Sequence, residues 1–337
     1  MKAYSLKAVG DLRFEEMSIP VCKTGWCLVK VKYVGICSSD IPRIFQKGTY
    51  HFPTIPGHEF SGVVDSVADK ENEALVGKKV GVFPLIPCKK CEACKRGKYE
   101  MCEHYDYIGS RRDGGFADYV AVPIWNLIVL DDTVSLKDAA TMEPFAVALH
   151  AIKKASIKQN DSVCIIGTGM IALAAGQWAR RMGAKSVTII GRSNYKRNLI
   201  EKSLGFKYQT INDEIECVDA VIEAVGSTEA IDRSIKTVRA GGRLVLMGNP
   251  SGDINLDQNT YWRILRKQIN LVGTWNSSYE YNQPCDWTEV RDAFNNNELE
   301  VEPLITHVFN KESLMDGLNL MREHKEPYCK VMVAWEK

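Results

Sequence analysis

Short bursts of apolar residues punctuate the first part of the chain. Val29 to Tyr33, Phe60 to Val67, Lys79 to Val82 and Phe116 to Val120 carry β-forming residues and are separated by glycine, proline and charge. That rhythm predicts an antiparallel or barrel-like β domain. Lys70 to Leu75 is polar and reads as a surface turn. Near residue 135 the period lengthens. Ser135, with Asp138 three residues on, resembles an N-cap with an acidic first turn, opening a helix from Leu136 through Met142 to Lys153 with a break near Pro144.

From Ser162 strands and helices alternate. Strand Val163 to Ile166, helix Ile171 to Met182, strand Ser186 to Ile190 and helix Tyr195 to Leu204 follow one another, and strands Cys217 to Glu223 and Arg243 to Met247 flank a helix Thr228 to Val238. This is the βαβ rhythm of a parallel sheet covered on both faces. The tail holds a strand Ile305 to Phe309, a helix Lys311 to Glu323 and a strand Lys330 to Ala334, which need not belong to that sheet.

Length favours two domains over one, since 337 residues exceed the size at which a single core stops growing. The 43 Lys plus Arg nearly cancel the 42 Asp plus Glu, so no global charge drives binding to nucleic acid or an anionic membrane. The longest apolar runs are interrupted by glycine and fall well below the roughly 20 residues of a membrane span. Met1 to Lys7 lacks a following apolar stretch and reads as a first strand, so the expected location is the cytoplasm. Of the 11 cysteines, four lie between Cys88 and Cys102 and the others are scattered, a pattern that fits metal ligation and burial better than disulfides.

Those four, Cys88, Cys91, Cys94 and Cys102, are spaced C-x2-C-x2-C-x7-C. Four thiolates surround Zn²⁺ with no open position, which makes such a site structural. An iron–sulfur cluster is the main rival, disfavoured by the long last gap and the lack of a Cys-Pro ending, and free cysteines remain an option. A second, dispersed set mixes ligand types: Cys37 after a predicted strand, His58 and Glu59 opening the next, and Glu143 near the change of rhythm. Mixed Cys, His and carboxylate ligands suit a zinc site with one position left for water or substrate. On spacing alone the plainer explanation is favoured: core filling by Cys37, a backbone contact for His58 and an exposed Glu143.

Gly167-Thr168-Gly169-Met170-Ile171-Ala172 joins a strand to a helix. Gly167 permits a tight turn, Gly169 lets backbone approach a pyrophosphate at the helix N-terminus, and Ala172 stands for the third glycine of the dinucleotide fingerprint. An NAD site places Asp or Glu about 20 residues on. Here the second strand ends Ile190-Gly191-Arg192-Ser193, with Lys196 and Arg197 behind. Glycine leaves room for a 2′-phosphate and Arg192 offers it a fork of N–H donors, so NADP is favoured over NAD. A solvated basic helix start is the plainer alternative. Gly226, Gly248 and Gly273-Thr274 lie near predicted strand ends and either line the dinucleotide cleft or serve as ordinary turns.

Gly57-His58-Glu59, the four-cysteine lobe and Gly167-Thr168-Gly169, in this order along nearly the whole chain, resemble the zinc-containing medium-chain dehydrogenase/reductase family. The stretches Asp40 to Phe45, Ile108 to Phe116 and Ile264 to Lys267 are similar to its sorbitol dehydrogenase-like branch. The resemblance implies an α/β and β architecture: a GroES-like catalytic domain over residues 1–150 with a structural-zinc lobe near 88–102, a Rossmann-type doubly wound coenzyme domain over 151–285, and a segment 286–337 returning to the first domain. It implies a catalytic zinc on Cys37, His58 and Glu143, with Glu59 as a fourth ligand or a neighbour of the zinc shell, and a structural zinc on Cys88, Cys91, Cys94 and Cys102. Ser39 matches a hydroxyl that relays the alcohol proton. Gly167, Thr168, Gly169, Met170, Ile171, Arg192, Ser193, Arg197, Gly226, Gly248 and Thr274 match the coenzyme side. Glu143 points to the polyol branch, and the implied substrate is a small polyol or polyol phosphate, for which Arg43, Arg111, Arg112 and Arg266 are candidate phosphate grips. A homodimer or homotetramer is expected. Pro42 stands where several relatives carry a relay histidine, so that outer relay does not carry over. A relative that has lost catalysis is the non-enzyme alternative, against which the intact ligand set argues.

Overall fold

The computed structural model describes residues 1–335. The chain divides into two compact units, one formed by Met1–Glu143 with Ser278–Lys337 and the other by Pro144–Ser277. The sequence places these boundaries at 150/151 and 285/286.

The first unit is built on a seven-stranded, mostly antiparallel sheet. Trp26–Ile36 lies at its centre, between Lys330–Ala334 on one side and Glu59–Val67 on the other, and also pairs with Tyr119–Pro123. Lys79–Val82 and Leu127–Val129 continue one edge, and Ile305–Asn310 closes the other in parallel with Lys330–Ala334. The tail strands therefore complete this sheet. Val29, Val31, Val64, Val120, Val331 and Val333 pack in its core; β-branched residues alternate there because one face of each strand meets apolar neighbours. Lys70–Leu75 forms a short exposed 3₁₀ turn.

Ser135 caps its helix as its sequence predicts, with Oγ accepting from Asp138 N at 3.0 Å. The helix stops after Leu136–Ala139 and restarts as Met142–Ala155. The break falls ahead of Pro144, which sits in the new first turn, where a missing N–H leaves no bond unmade.

The second unit contains β1 (Ser162–Ile166), α1 (Met170–Arg181), β2 (Ser186–Gly191), β3 (Lys207–Thr210), β4 (Val218–Glu223), α2 (Thr228–Thr237), β5 (Val238–Leu246), α3 (Gln258–Lys267) and β6 (Asn270–Gly273). The strands form one parallel sheet in the order β3-β2-β1-β4-β5-β6. Chain order reverses beside β1, which is where such sheets bind dinucleotides. The predicted helix Tyr195 to Leu204 is instead a 3₁₀ turn at Asn194–Lys196 and a π-type turn at Leu199–Ser203. The sequence reading lacks β3, α3 and β6: the two strands, four residues each, are too short to carry a period, whereas α3 carries a helical one behind the N-cap Asp257.

Among the described residues, no helix is long and apolar enough to cross a membrane.

Candidate active site

Three neighbouring strands of the first unit bring the mixed ligand set together at one end of the sheet. Cys37 follows Trp26–Ile36, Glu59 opens the next strand opposite Gly35, and Lys330 opens the strand on the other side. Gly57, at φ +95°, turns the chain into His58, and the loop 114–116 clasps this turn, with Gly115 N donating to Gly57 O at 2.7 Å and Phe116 N to Pro56 O at 3.0 Å. One ligand atom each from Cys37, His58 and Glu59 lies within 4.8 Å of the others. Glu143 is buried beside them, outside that tight group. Burial and the charge of Glu59 push its carboxyl up to about 7, against the opposing pull of His58 and Lys330 and a hydrogen bond from Tyr107. Ser39 Oγ donates to Cys37 Sγ at 3.3 Å.

Two residues that sequence reasoning left without a role hold this group. Asp40, fully buried, accepts from Cys37 N at 3.0 Å and from Arg43 at 2.9 Å, and its Oδ1 lies 3.5 Å from His58 Nδ1. Burial opposes a charge on His58, yet Asp40 and Cys37 outweigh it and raise the imidazole pKa well above the usual value. Lys330, 3% exposed, pairs with Glu59, 2% exposed. Its ammonium also faces Cys37 and Glu143, which hold it charged against burial. Gly35 leaves the space for this pair, since a Cβ there would meet Glu59 Oε2 at 2.5 Å and Lys330 Cδ at 3.3 Å. Cys37, His58, Glu59 and Glu143 bring together a thiol, an imidazole and carboxylates, the mixed donor set that suits a zinc site with an open position, and a carboxylate lies beside the imidazole. The residues fit zinc, with Asp40 outside the ligand set and orienting His58.

The four-cysteine lobe is local. All four sulfurs lie within 4.8 Å of one another, and the pairs Cys88–Cys94 and Cys91–Cys102 are each 3.9 Å apart. A tetrahedron with Zn–S of ~2.3 Å separates its sulfurs by about 3.8 Å, so the fit is close. Backbone N–H groups favour the thiolates: those of Cys94 and Glu103 lower Cys91 to about 6, and those of Lys90 and Cys91 lower Cys88. Burial instead pushes Cys94 up to about 12 and also raises Cys102.

In the second unit, Gly167 at φ +131° ends β1, and its N–H donates to Ile190 O at 2.8 Å. A Cβ on it would crowd Ala224 O at 3.3 Å. Gly169 caps α1, with Thr168 before it and Met170 and Ile171 in the first turn, and open space where its Cβ would be. Gly226 and Gly248 pack against each other at the ends of β4 and β5: a Cβ on Gly226 would lie 2.7 Å from Asn249 C, and one on Gly248 would lie 2.5 Å from Val225 C. The loop after β4 adjoins the fingerprint turn, where Ala224 and Val225 face Gly167, and the loop after β5 packs against it. Glu223 ties them, its buried Oε1 accepting from Val225 and Gly226 N–H at 2.7 and 2.8 Å. Thr274 follows β6, with its N–H on Leu246 O at 3.1 Å. Arg192 and Ser193 are exposed, while Arg197 binds Glu201 at 2.8 Å and Asn194 at 3.2 Å.

The candidate phosphate grips are largely engaged. Arg111 stacks on Tyr50 and Tyr105 and donates to Tyr105 O at 2.7 Å. Arg112 forks onto Asp106, and Arg266 lies over Trp262 in the second unit.

Residues 23–132 match the alcohol dehydrogenase GroES-like domain, and residues 171–295 the zinc-binding dehydrogenase family. The chain is 34% identical to galactitol 1-phosphate 5-dehydrogenase of Escherichia coli K12, over 97% of this chain and 98% of that one. A crystal structure of galactitol-1-phosphate dehydrogenase from Escherichia coli matches at TM-score 0.90 and 33% identity, covering 99% of this chain and 100% of that one. A short chain alcohol dehydrogenase from E. coli CFT073 complexed with NADH matches at TM-score 0.90, and a zinc-binding dehydrogenase from Sinorhizobium meliloti 1021 bound to NADP at 0.89. Each is 26% identical and covered over 99% of both chains. These matches and the two metal-ligand clusters make the protein an NAD(P)-linked, zinc-dependent oxidoreductase of secondary alcohols or polyols. The chain belongs to the zinc-type medium-chain dehydrogenase/reductase family, related to galactitol-1-phosphate 5-dehydrogenase and sorbitol dehydrogenase-like enzymes.

Proposed function

We propose that the enzyme interconverts a secondary hydroxyl of a sugar-alcohol phosphate, such as galactitol 1-phosphate, and its ketone, with NADP preferred to NAD. The observation that carries the reading is the cluster of half-buried Cys37 with buried His58 and Glu59, and a buried carboxylate, Glu143, beside it. Glu143 rather than a thiol at this place supports the polyol branch, and the relationship to galactitol 1-phosphate 5-dehydrogenase supports a phosphorylated member of it.

Cys37, His58 and Glu143 would hold the catalytic zinc, with Glu59 able to join or leave the set as Lys330 takes its charge. Bound zinc supplies a Lewis acid that lowers the pKa of the reacting hydroxyl. Ser39, hydrogen-bonded to Cys37, accepts the alcohol proton and passes it outward. Bound nicotinamide coenzyme would supply the hydride acceptor for the carbinol carbon. Arg43, anchored on Asp40 beside the cluster, is the phosphate grip this reading retains.

On the coenzyme side, Gly167, Thr168, Gly169, Met170 and Ile171 would cradle the pyrophosphate, with Gly226, Gly248 and Thr274 lining the cleft. Arg192, Ser193 and Arg197 would meet the 2′-phosphate. The assembly is proposed to be a homodimer or homotetramer, which sedimentation equilibrium distinguishes.

The test crosses both oxidised coenzymes with galactitol 1-phosphate, ribitol 5-phosphate, sorbitol and simple alcohols. The expected result is turnover confined to the phosphopolyols and a higher kcat/KM with NADP, lost selectively in Arg192→Ala. Comparable turnover of the unphosphorylated polyols would move the assignment to a general polyol dehydrogenase. Equal losses with both coenzymes in Arg192→Ala would sink its phosphate role.

A further inference from the structure

The glycine that replaces the usual acid at the end of β2 is not there for conformation. Gly191 does not have a positive φ, so its backbone would accept a side chain. Space is what forbids one. A Cβ at this position would meet Thr168 Cγ2 at 2.7 Å, Tyr208 Cε2 at 3.1 Å and the Tyr208 hydroxyl closer still. Tyr208 comes from β3, where it pairs with Ile189. Side chains of one strand alternate between faces, so Ile189 and Gly191 share a face, and the long phenol reaches diagonally from 208 to 191.

The phenol is fixed there. Tyr208 is 3% exposed, its hydroxyl donates to Ser193 O at 2.5 Å, and the Arg197 guanidinium lies 5.0 Å above its ring. Lys196 reaches back to Thr168 O at 2.8 Å. Thr168, Gly191, Tyr208 and Arg197 thus form one stack, between the fingerprint turn and the basic segment Arg192 to Arg197.

We propose that Tyr208 determines coenzyme specificity: its ring occupies the volume that an acidic side chain at position 191 needs, and so keeps a carboxylate from the adenosine ribose. The inference deepens the NADP reading above and rests on it for its direction. An acid placed at 191 alone cannot switch the enzyme to NAD, because it must displace a buried, hydrogen-bonded tyrosine. Removing the ring relieves both Tyr208 contacts and leaves only the Thr168 methyl to give way.

The experiment is a double-mutant cycle of Gly191→Asp and Tyr208→Val, with melting temperature and the Kd of NADPH and of NADH, read from reduced-nicotinamide fluorescence, as its readouts. Gly191→Asp alone should lower Tm by several degrees and weaken both coenzymes together. In the Tyr208→Val background the same aspartate should cost clearly less Tm and shift the Kd ratio about tenfold or more toward NADH. Should Gly191→Asp not accumulate as folded protein, Gly191→Ala carries a single Cβ into the same contact and is read through the same Tm cycle. Equal Tm losses in both backgrounds, or a full switch toward NADH by Gly191→Asp alone, would overturn the role of Tyr208. A wild-type enzyme that binds NADH more tightly than NADPH would instead refute the NADP reading, while the Tm cycle still judges the steric claim.

Discussion

The two cysteine-containing metal clusters of the first unit are built on opposite plans. Residues 88–102 supply all four sulfurs of one, and neighbouring N–H groups of the same loop stabilise its thiolates. The other draws Cys37, His58 and Glu59 from two strand ends, adds Glu143 from a helix start, and balances their charges with Lys330 from the far end of the chain. A local cluster needs only its own loop. An assembled one depends on every element that crosses the sheet, and its supporting residues should therefore be as sensitive as its ligands.

That contrast is open to attack at Lys330 first. In Lys330→Met the Glu59 carboxylate is left buried and unpaired, and unfolding by denaturant should show a loss of about 3–5 kcal/mol. Wild-type stability would mean that the pair contributes nothing and the strand 330–334 is held by its ladder hydrogen bonds and apolar contacts. Asp40→Asn comes next. It keeps the shape but weakens the hold on His58, so chelator competition should show zinc leaving the mixed site with about 10–100-fold lower affinity, while the four-cysteine site is unchanged. Equal weakening at both sites would erase the distinction between them.

The smallest effect calibrates the others, in the second unit, away from both candidate metal clusters. Asp219 accepts from Ser162 N at 2.8 Å, Ser162 Oγ at 2.6 Å and Arg239 at 2.6 Å, and these donors hold its carboxyl well below the usual range. A carboxyl depressed on folding stabilises at neutral pH and loses that contribution as pH falls through its folded value. Asp219→Asn should therefore cost about 1 kcal/mol at pH 7, the group being partly solvent-screened, with the gap to wild type narrowing below about pH 4. A gap that grows on acidification would contradict the assignment.

Legibility followed the same division. Contiguous patterns could be read directly: the C-x2-C-x2-C-x7-C spacing, the Gly167-Thr168-Gly169 turn between strand and helix, and the Ser135 cap. Contacts made only by folding could not. Lys330 sits in a polar approach to a strand, and nothing near it in sequence signals a buried ion pair with Glu59. Asp40 looked like part of a motif; its bonds to Cys37 N and Arg43 are local, but it meets His58 only once Pro56 to Glu59 folds back beside it. The arginines are a case of partners invisible in sequence: Arg111 and Arg112 are candidate phosphate grips there, whereas the fold stacks one between tyrosines and pairs the other with Asp106. Tyr208, a lone aromatic in the polar run Lys207 to Thr210, gave no sign that it decides what position 191 can hold.

The central claim is that the chemistry resides in the assembled site and the lobe serves architecture alone. Zinc content per chain and alcohol-dependent coenzyme reduction, measured side by side on the wild type and Cys37→Ala, test it most directly. Two zinc ions are expected in the wild type and one in Cys37→Ala, with turnover lost in that variant and its circular dichroism unchanged. A Cys37→Ala enzyme that keeps both ions, or keeps its turnover with only one, would contradict it.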